Sequence, residues 1–224
     1  MAYKTVLFDL DGTLLNTLAD LRSSMNRALA KYAFPPHTPE EVRAFVGNGI
    51  KDYTARAVPE GTSEVDKARV LADFKEDYAA HCMDETAPYD GILPMLELLK
   101  ARGIKTAIVS NKADFAVQML GKRYFDGLVT LSRGERPEIP KKPAPDMLYK
   151  VMEELAAEPD STLFVGDSDV DCITAKNAGL DAVLVDWGFR DRDILEELAA
   201  AHPKPLKAEV VSTVEALTER ILGA

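Results

Sequence analysis

Short apolar runs alternate along this chain with stretches of helical periodicity, and this alternation restricts the possible folds more than any other feature. Five runs are predicted strands, and a sixth, weaker run lies near the C-terminal end. They are Thr5–Phe8, Thr106–Val109, Leu128–Thr130, Leu163–Val165, Ala182–Val185 and Glu209–Val211. Because continuous apolar strands are typical of a parallel sheet covered on both faces, the sequence predicts an α/β core with a doubly wound, Rossmann-like parallel sheet.

Helices are predicted between these strands, with recognisable end signals. The patterns span Leu93–Arg102, Pro145–Ala157 and Val170–Ala178. The first and third stop at a glycine, which is the residue most often found just after a helix. Ser212 with Glu215 fits a capping box, which predicts the start of the last helix.

One long stretch, from residue 17 to 86, contains no convincing strand pattern. Predicted helix starts lie at Thr17 with Asp20, at the capping box of Thr38 and Glu41, and at Ser63. This stretch either only buries core surface or forms a small helical domain inserted after the first strand, and its length favours the second. The predicted organisation is therefore a core of residues 1–15 and 87–224 with a helical cap domain of residues 16–86.

Composition limits the partners and the compartment. The 224 residues carry a formal net charge of −10, which argues against nucleic acid or an anionic membrane as the main partner. Only two cysteines are present and no CxxC motif occurs, so we expect a reducing, cytoplasmic location. No apolar run approaches the ~18 residues of a membrane span. A monomer and a homodimer both remain open.

Polar residues follow several predicted strands, at the edge where open α/β sheets bind ligands. They are Asp9 and Asp11 after the first strand, Ser110, Asn111 and Lys112 after the second, and Asp167 and Asp171 after the fourth, with Lys142 ahead of that strand. Two carboxylates ~5 Å apart repel by about 3 kcal/mol at an effective dielectric constant of ~20. A divalent cation offsets this repulsion; oxygen ligands suit Mg²⁺, and the scattered histidines and cysteines disfavour zinc.

Mg²⁺ held by a few carboxylates is typical of phosphate chemistry. One carboxylate can attack phosphorus and form an aspartyl-phosphate, and a second can protonate the leaving oxygen and later activate water. Ser110 and Lys142 would hold the phosphoryl oxygens. Each motif alone has a simpler interpretation: Asp11-Gly12 as a hairpin turn, Ser110-Asn111 as a helix cap, and Lys142 as a solvated loop residue. Their order and their positions after strands favour the site.

Taken together, these motifs resemble those of the haloacid dehalogenase superfamily. The residues that carry the resemblance are Asp9-Leu10-Asp11-Gly12-Thr13, Ser110-Asn111-Lys112, Lys142-Pro143, and Gly166-Asp167-Ser168 followed by Asp171. All four signature motifs of the superfamily are present in order, and they span nearly the whole chain. The dehalogenases themselves lack the second acid, so the presence of Asp11 makes the chain similar to the phosphotransferase branch.

The resemblance implies a role for each matched residue. Asp9 is the expected nucleophile, Asp11 the general acid and base, and Lys142 the cation that neutralises nucleophile and phosphate. The expected Mg²⁺ ligands are Asp9, the backbone carbonyl of Asp11, and Asp167, with Asp171 supporting Asp167 or Lys142 from behind. Ser110 and Asn111 are expected to bind the phosphoryl group, and Thr13 to lie at the substrate and orient the acid.

The helical stretch is similar to the mobile cap of that branch, which closes over the substrate. Within it, the segment Phe45–Ile50 resembles a cap loop of phosphoglycolate phosphatases, and the segment Asp186–Arg190 also resembles that subgroup. Gly47 and Asn48 would then bring backbone N–H groups to a small anion, and Arg56 would pair with a substrate carboxylate. The alternative is a tight turn between helices with Arg56 in solvent.

The predicted function is a Mg²⁺-dependent phosphatase that acts on a small-molecule phosphate ester, with 2-phosphoglycolate as the first candidate. A sugar-phosphate mutase similar to β-phosphoglucomutase and a pyrophosphatase are alternatives on the same fold. A non-enzymatic alternative is a receiver-type module that is phosphorylated on aspartate. Such a module lacks an inserted helical stretch, so residues 17–86 argue against it.

Overall fold

The computed structural model describes residues 3–204 and 206–223. The strands are β1 (Thr5–Phe8), β2 (Leu15–Asn16), β3 (Ala87–Pro88), β4 (Lys105–Ala113), β5 (Leu131–Glu135), β6 (Thr162–Gly166), β7 (Asp181–Val185) and β8 (Ala208–Val211). Within these described ranges, six strands form one parallel sheet in the order β5-β4-β1-β6-β7-β8. The predicted parallel α/β core is confirmed.

Helices cover both faces of this sheet. They are α1 (Leu18–Ala30), α2 (Pro39–Phe45), α3 (Ile50–Ala57), α4 (Glu64–His81), α5 (Ile92–Ala101), α6 (Asp114–Phe125), α7 (Asp146–Leu155), α8 (Asp169–Ala178), α9 (Arg192–Ala200) and α10 (Val214–Leu222). Val6 and Phe8 of β1 pack in one core cluster with α5, α6 and α10, whereas Leu7 between them packs in another with α7 and α8. Alternate residues of one strand thus bury apolar area on opposite faces, as a doubly wound sheet requires.

Helices α1 to α4 form the stretch between β2 and β3, which pair with each other as a two-stranded antiparallel ribbon. The Asp20 carboxylate near the start of α1 accepts hydrogen bonds from the backbone N–H groups of Glu85 (3.0 Å) and Thr86 (2.9 Å) at the other end of the stretch. These hydrogen bonds therefore join the two ends of the helical stretch, where the chain leaves the sheet and returns to it. Positions 1, 2, 205 and 224, which the predicted core ranges include, lie outside the described residues.

The predicted capping box of Thr38 and Glu41 forms in full at the start of α2, with Pro39 at the first helical position. Such a cap stabilises a helix by about 1 kcal/mol. The predicted start at Ser63 is also present, because its hydroxyl accepts from the Asp66 N–H. These two ends were predictable because each depends only on residues within one helical turn.

Three local predictions were wrong. Leu128–Thr130 is not a strand; Leu128 and Val129 donate to the carbonyl of Phe125 in the turn that follows α6, and β5 begins only at Leu131. Ser212 does not cap the last helix, because Thr213 takes that position while the Ser212 hydroxyl donates to Asp186. Thr17 makes no side-chain cap for α1, because its hydroxyl donates to Asp11 instead.

In the parts of the chain that the structure describes, no helix has both the length and the apolar character that crossing a membrane demands.

Candidate active site

The sheet order brings the predicted strand ends together. β1 lies between β4 and β6, and all three strands run parallel. Asp9 follows β1 directly and Asp167 follows β6 directly, while Ser110 lies in the last part of β4, where its pairing with β5 becomes irregular. The strand β4 is longer than predicted, so Ser110, Asn111 and Lys112 belong to the strand rather than to the loop after it.

Three carboxylates meet at this edge. One oxygen atom each of Asp9, Asp167 and Asp171 lies within 4.8 Å of the other two, and all three residues are buried. Burial raises the pKa of Asp9 to about 6; Lys142 opposes this rise, and the negative charge of Asp171 adds to it. Burial and the charges of Asp171 and Asp9 also raise the pKa of Asp167 well above its usual range. Burial and mutual repulsion thus raise the free energy of the cluster when all its carboxylates are ionised.

Lys142 supplies positive charge to this cluster. Its Nζ lies 2.7 Å from Asp171 Oδ1 and 2.9 Å from Asp9 Oδ1, and its side chain is 2 % exposed. Burial alone would lower the pKa of Lys142, but the charges of Asp171 and Asp9 outweigh burial and raise it, so the ammonium group stays charged. One cation among three carboxylates leaves a net negative site.

The residual negative charge fits a divalent cation. Although Asp9 Oδ1 is close to Lys142 Nζ, the contact falls outside hydrogen-bond geometry, and this buried oxygen has no hydrogen-bond donor. A buried carboxylate oxygen without a donor is costly unless another positive group approaches it. The oxygen ligands of Asp9 and Asp167 are of the type that Mg²⁺ prefers, so the residues present fit this metal.

Asp167 is held in place by its neighbours. Its Oδ2 accepts from the backbone N–H of Phe189 at 2.7 Å, and its Oδ1 accepts from the Thr13 hydroxyl at 3.2 Å. Gly12 has a φ of +82°, and a Cβ at this position would lie 2.3 Å from Asp167 Oδ2. The glycine of the Asp-x-Asp-Gly-Thr motif is therefore required both for its turn and for the close approach of this carboxylate.

Asp171 both caps helix α8 and pairs with the ammonium group of Lys142. Ser168 and Asp171 form a capping box at the start of α8, and Asp171 Oδ2 also accepts from the Ser168 hydroxyl at 2.5 Å. Its Oδ1 accepts from Lys142. Because Oδ2 is engaged by the helix end and Oδ1 by the ammonium group, Asp171 holds Lys142 beside the carboxylate cluster.

Asp11 lies in a different electrostatic environment from Asp9. Its Oδ1 accepts from the Thr17 hydroxyl at 2.8 Å and from Lys112 Nζ at 2.9 Å. Lys112 also donates to the hydroxyl of Tyr78 at 2.7 Å, and its side chain is 3 % exposed. Burial would lower the pKa of Lys112, but Asp11 and Tyr78 raise it above the usual value. The two acids of the motif thus have separate lysine partners.

Sequence reasoning placed Lys112 at the strand end but assigned it no role. The available signal was its position in a strand of otherwise buried residues, where a lysine requires an acidic partner. That acidic partner is Asp11, and α4 adds a second partner by bringing Tyr78 over the lysine from 34 positions away.

Ser110 and Asn111 line the same cavity. The Asn111 side-chain amide donates to the carbonyl of Lys142 at 2.9 Å and to the carbonyl of Gly47 at 3.2 Å, while its own oxygen has no donor. Asn111 therefore connects the strand end to the loop of Lys142 and to the loop before α3.

The cavity at this edge has a volume of about 50 Å³ and lies between the sheet edge and the helical stretch. From the sheet it is lined by Asp9, Asp11, Ser110, Asn111, Lys112, Asp167, Ser168, Phe189 and Arg190, and from the helical stretch by Leu21, Val46, Gly47, Gly49, Ile50 and Tyr53. Acids and cations thus form its floor, and mainly apolar side chains form its roof.

Comparison with known proteins agrees with this geometry. Residues 6–185 match the model of the haloacid dehalogenase-like hydrolase family. The chain belongs to this family. The predicted family and the predicted hydrolase class are confirmed, and the match decides against a receiver-type module.

Two named activities occur among the most similar relatives of this hydrolase. Phosphoglycolate phosphatase 1 of Pseudomonas aeruginosa is 34% identical over 206 residues, which cover 87% of this chain and 74% of that protein. Pyrophosphatase PpaX of Bacillus mycoides is 33% identical over 204 residues, which cover 88% of this chain and 89% of that protein. A crystal structure from Lactobacillus delbrueckii subsp. bulgaricus, provisionally assigned as a phosphoglycolate phosphatase, superimposes with a TM-score of 0.91 at 34% identity, covering 100% of both chains. These likenesses support phosphatase activity.

Some predicted substrate residues of this haloacid dehalogenase-like hydrolase lie away from the cavity. Thr13 is fully buried and its hydroxyl orients Asp167, whereas Thr17 orients the acid Asp11. Arg56 is exposed on α3 and donates to the carbonyl of Ala44 rather than entering the cavity. Arg56 lies beside the buried face of α3, which carries Tyr53, Thr54 and Ala57, so its side chain extends into solvent.

The loop of residues 46–49 meets the core through its carbonyl groups. Three consecutive carbonyls accept hydrogen bonds from core side chains: Val46 from Arg190 at 2.9 Å, Gly47 from Asn111 at 3.2 Å, and Asn48 from Lys141 at 2.6 Å. Asn48 itself does not line the cavity, whereas Gly47 does. Sequence reasoning noted the segment that contains Arg190 but missed this residue, which also donates to the Arg43 carbonyl.

Proposed function

We propose that this protein is a Mg²⁺-dependent phosphatase that hydrolyses small phosphomonoesters through an aspartyl-phosphate on Asp9. The observation that carries the proposal is the contrast between the two acids of one motif. Asp9 Oδ1 pairs with Lys142 at 2.9 Å but accepts no hydrogen bond, whereas Asp11, two positions along the chain, is fixed by hydrogen bonds from Lys112 and Thr17. A carboxylate oxygen without a hydrogen bond suits a nucleophile, and a fixed carboxyl suits proton transfer.

In the first step a carboxylate oxygen of Asp9 attacks phosphorus, the ester P–O bond breaks, and Asp11 gives its proton to the departing oxygen. In the second step Asp11 takes a proton from water, the water oxygen attacks phosphorus, and the bond to Asp9 breaks, which releases phosphate. Lys142 and Ser110 hold the phosphoryl oxygens, and Lys142 keeps Asp9 oriented. Both steps leave the enzyme unchanged overall.

The metal would be held by Asp9, the backbone carbonyl of Asp11, and Asp167. When bound, Mg²⁺ offsets the repulsion among the carboxylates and the phosphoryl group and stabilises charge that develops on the phosphoryl oxygens. Asp171 keeps its position behind Lys142, where its oxygens are already engaged.

Residues 16–86 are proposed to act as a cap that opens for substrate and closes over the site. Supporting this, the stretch crosses to the core only through the β2–β3 ribbon and contacts the site through the loop carbonyls of residues 46–48. Closure excludes water and fixes the substrate beside the two acids.

For the substrate we propose 2-phosphoglycolate first. A cavity of about 50 Å³ favours a small ester, and relatives at 34% identity carry the name phosphoglycolate phosphatase. Pyrophosphate is the second candidate, because a relative at 33% identity is named a pyrophosphatase. A sugar-phosphate mutase is less favoured, since the helical stretch contributes to the cavity lining mainly apolar groups and Tyr53, with no acid or base suited to handling a sugar hydroxyl among the described residues.

The test is a screen of the purified protein with Mg²⁺ against 2-phosphoglycolate, pyrophosphate, sugar phosphates and nucleotides, with phosphate release as the readout. We expect the highest kcat/KM for 2-phosphoglycolate and loss of turnover on every ester in Asp9→Asn. A higher kcat/KM for pyrophosphate would overturn 2-phosphoglycolate as the proposed substrate but not the proposed mechanism. Near-normal activity of Asp9→Asn would overturn the mechanism.

A further inference from the structure

The acid Asp11 is clamped from two sides by groups of different origin. Thr17, at the start of the helical stretch, donates to Oδ1 at 2.8 Å. Lys112, from the sheet, lies 2.9 Å from Oδ1 and 3.1 Å from Oδ2. Because Oδ1 accepts from both groups and Oδ2 only from the lysine, the clamp fixes the carboxyl plane and leaves Oδ2 as the less occupied oxygen. Asp11 itself lines the cavity.

Lys112 is in turn fixed by the helical stretch. Its Nζ donates to the Tyr78 hydroxyl at 2.7 Å and lies 4.6 Å from the centre of the Tyr78 ring. A hydroxyl acceptor and a ring face both attract an ammonium group, and both are strengthened here by burial. The position of the lysine therefore depends on α4.

An aromatic series continues from Tyr78 to the cavity roof. Tyr78 stacks on Phe74 with ring centres 5.4 Å apart, and Phe74 meets Tyr53 edge-on at 5.5 Å. Tyr53 lines the cavity and donates to the carbonyl of Leu21, another roof residue. Packed rings transmit a displacement because the interior has no room for independent movement. A continuous series of packed side chains thus connects the roof of the cavity to Lys112 and, through it, to Asp11.

We propose that Lys112 is a positioning residue that aims Asp11 at the leaving oxygen, and that Tyr78 makes this aim depend on the placement of the helical stretch over the site. The proposal rests on the proposed function, because it requires Asp11 to be the acid. Lys112 acts through Asp11 and need not touch the substrate. Its loss is therefore expected to impair proton delivery more than phosphoryl transfer itself.

Two substrates separate these effects. A 2-phosphoglycolate alkoxide is a poor leaving group and needs a proton as the ester bond breaks, whereas the nitrophenolate of p-nitrophenyl phosphate leaves without one. The ratio kcat/KM covers the steps up to the first P–O cleavage, so it reports this difference directly. We expect Lys112→Met to reduce kcat/KM for 2-phosphoglycolate by about 100-fold and for p-nitrophenyl phosphate by less than about tenfold.

Tyr78→Phe is the milder companion, because it removes only the hydroxyl and keeps the ring stack. We expect the same selectivity with a smaller loss on the alkyl ester, about threefold to tenfold. This variant keeps the proposal testable if Lys112→Met does not fold, since that substitution leaves the Asp11 carboxylate without its lysine. Circular dichroism and the melting temperature of each variant report folding separately.

Asp11→Asn serves as the reference. It should reduce kcat/KM for 2-phosphoglycolate far more than for p-nitrophenyl phosphate. Adding Lys112→Met to Asp11→Asn should then change the ratio of the two kcat/KM values little further. If Asp11→Asn itself loses both substrates equally, the assignment of the acid in the proposed function fails. If Asp11→Asn is selective but Lys112→Met and Tyr78→Phe reduce both substrates equally, the acid assignment stands and the positioning role of Lys112 is overturned. Should 2-phosphoglycolate prove inactive, the best alkyl phosphate of the panel takes its place.

Discussion

Lys142 Nζ lies 2.7 Å from Oδ1 of Asp171, and the two side chains are 2 % and 1 % exposed. Lys142 also pairs with Asp9 at 2.9 Å, and among the described residues it is the only cation that forms ion pairs with the carboxylate cluster. A buried ion pair adds little stability by itself, but removal of one partner leaves the other charge uncompensated. The stability of the site and its charge balance therefore depend on the same lysine.

Lys142→Met should destabilise the metal-free protein by about 3–5 kcal/mol, because three buried carboxylates lose their cation. Urea unfolding in the presence of a chelator measures this change. The control is Lys67→Met: its side chain is 32% exposed and pairs with the exposed Glu64, so we expect a change below about 1 kcal/mol. Equal effects of the two substitutions would contradict the role assigned to Lys142.

Asp9 should make the metal-free protein less stable as the pH rises. Burial raises its pKa from 3.8 to about 6, so between these values the folded protein holds a proton that the unfolded chain has released. The free energy of unfolding therefore falls through this window and stays lower above it. Asp9→Asn removes the effect, and we expect the variant to be more stable than the natural protein at pH 7.5 by up to about 3 kcal/mol.

The measurement is urea unfolding of both proteins with chelator at pH 7.5 and near pH 4. The stability difference should shrink at the lower pH, where Asp9 is protonated in the folded state. With saturating Mg²⁺ at pH 7.5 the natural protein should become more stable than Asp9→Asn, because the metal binds the carboxylate and not the amide. A variant that is less stable than the natural protein without metal at pH 7.5 would refute the interpretation.

Much of this site was predictable from the sequence because its residues follow strands directly. Asp9, Ser110 and Asp167 are placed by the sheet order alone, and the sheet follows from the apolar runs. Contacts between distant elements were not predictable in the same way. Lys112 needs α4 to supply Tyr78, and the Thr17 hydroxyl does not cap α1 because it donates to the Asp11 carboxylate instead.

Arg56 shows why spacing alone does not place a side chain. Its spacing from the glycines of the loop matches the resemblance, but a helix gives each residue a direction that spacing does not specify. In α3 the buried face carries Tyr53, Thr54 and Ala57, and Arg56 is exposed. Arg190, an arginine that does donate to the loop, comes from the segment after β7.

Mg²⁺ should stabilise the protein through the carboxylate cluster. A ligand that binds only the folded state raises the melting temperature with its concentration, so a titration with Mg²⁺ should shift it upward. Asp167→Asn should remove most of the shift, whereas Asp193→Asn, exposed on α9, should keep it. Chelation should stop turnover reversibly. A Mg²⁺ shift that survives in Asp167→Asn would place the metal elsewhere.

Arg56→Ala should have little effect on catalysis. Its guanidinium donates to the Ala44 carbonyl at 3.2 Å on the exposed side of the helical stretch, away from the cavity. We expect KM to change by less than about twofold for esters with and without a carboxylate. A selective increase in KM for the carboxylated ester would restore the role that the sequence resemblance gave to this arginine.

Arg190→Met should weaken substrate binding through the loop. Arg190 donates to the carbonyls of Val46 and Arg43 and pairs with Asp169, so its loss frees one end of the segment that closes the cavity. Hydrogen bonds of a charged donor contribute about 1.5–3 kcal/mol each, and a loss at the low end corresponds to a rise in KM of about tenfold. Steady-state kinetics measures KM, and amide hydrogen exchange at residues 46–49 should accelerate.

The matched control is Arg192→Met, two positions along the chain. Arg192 is half exposed and pairs with Asp186 and Glu196 at the surface, without contact to the loop. Its KM and the exchange rate at residues 46–49 should stay within about twofold of the natural protein. If Arg190→Met raises KM while exchange in the loop stays unchanged, Arg190 contacts the substrate itself rather than holding the loop over it.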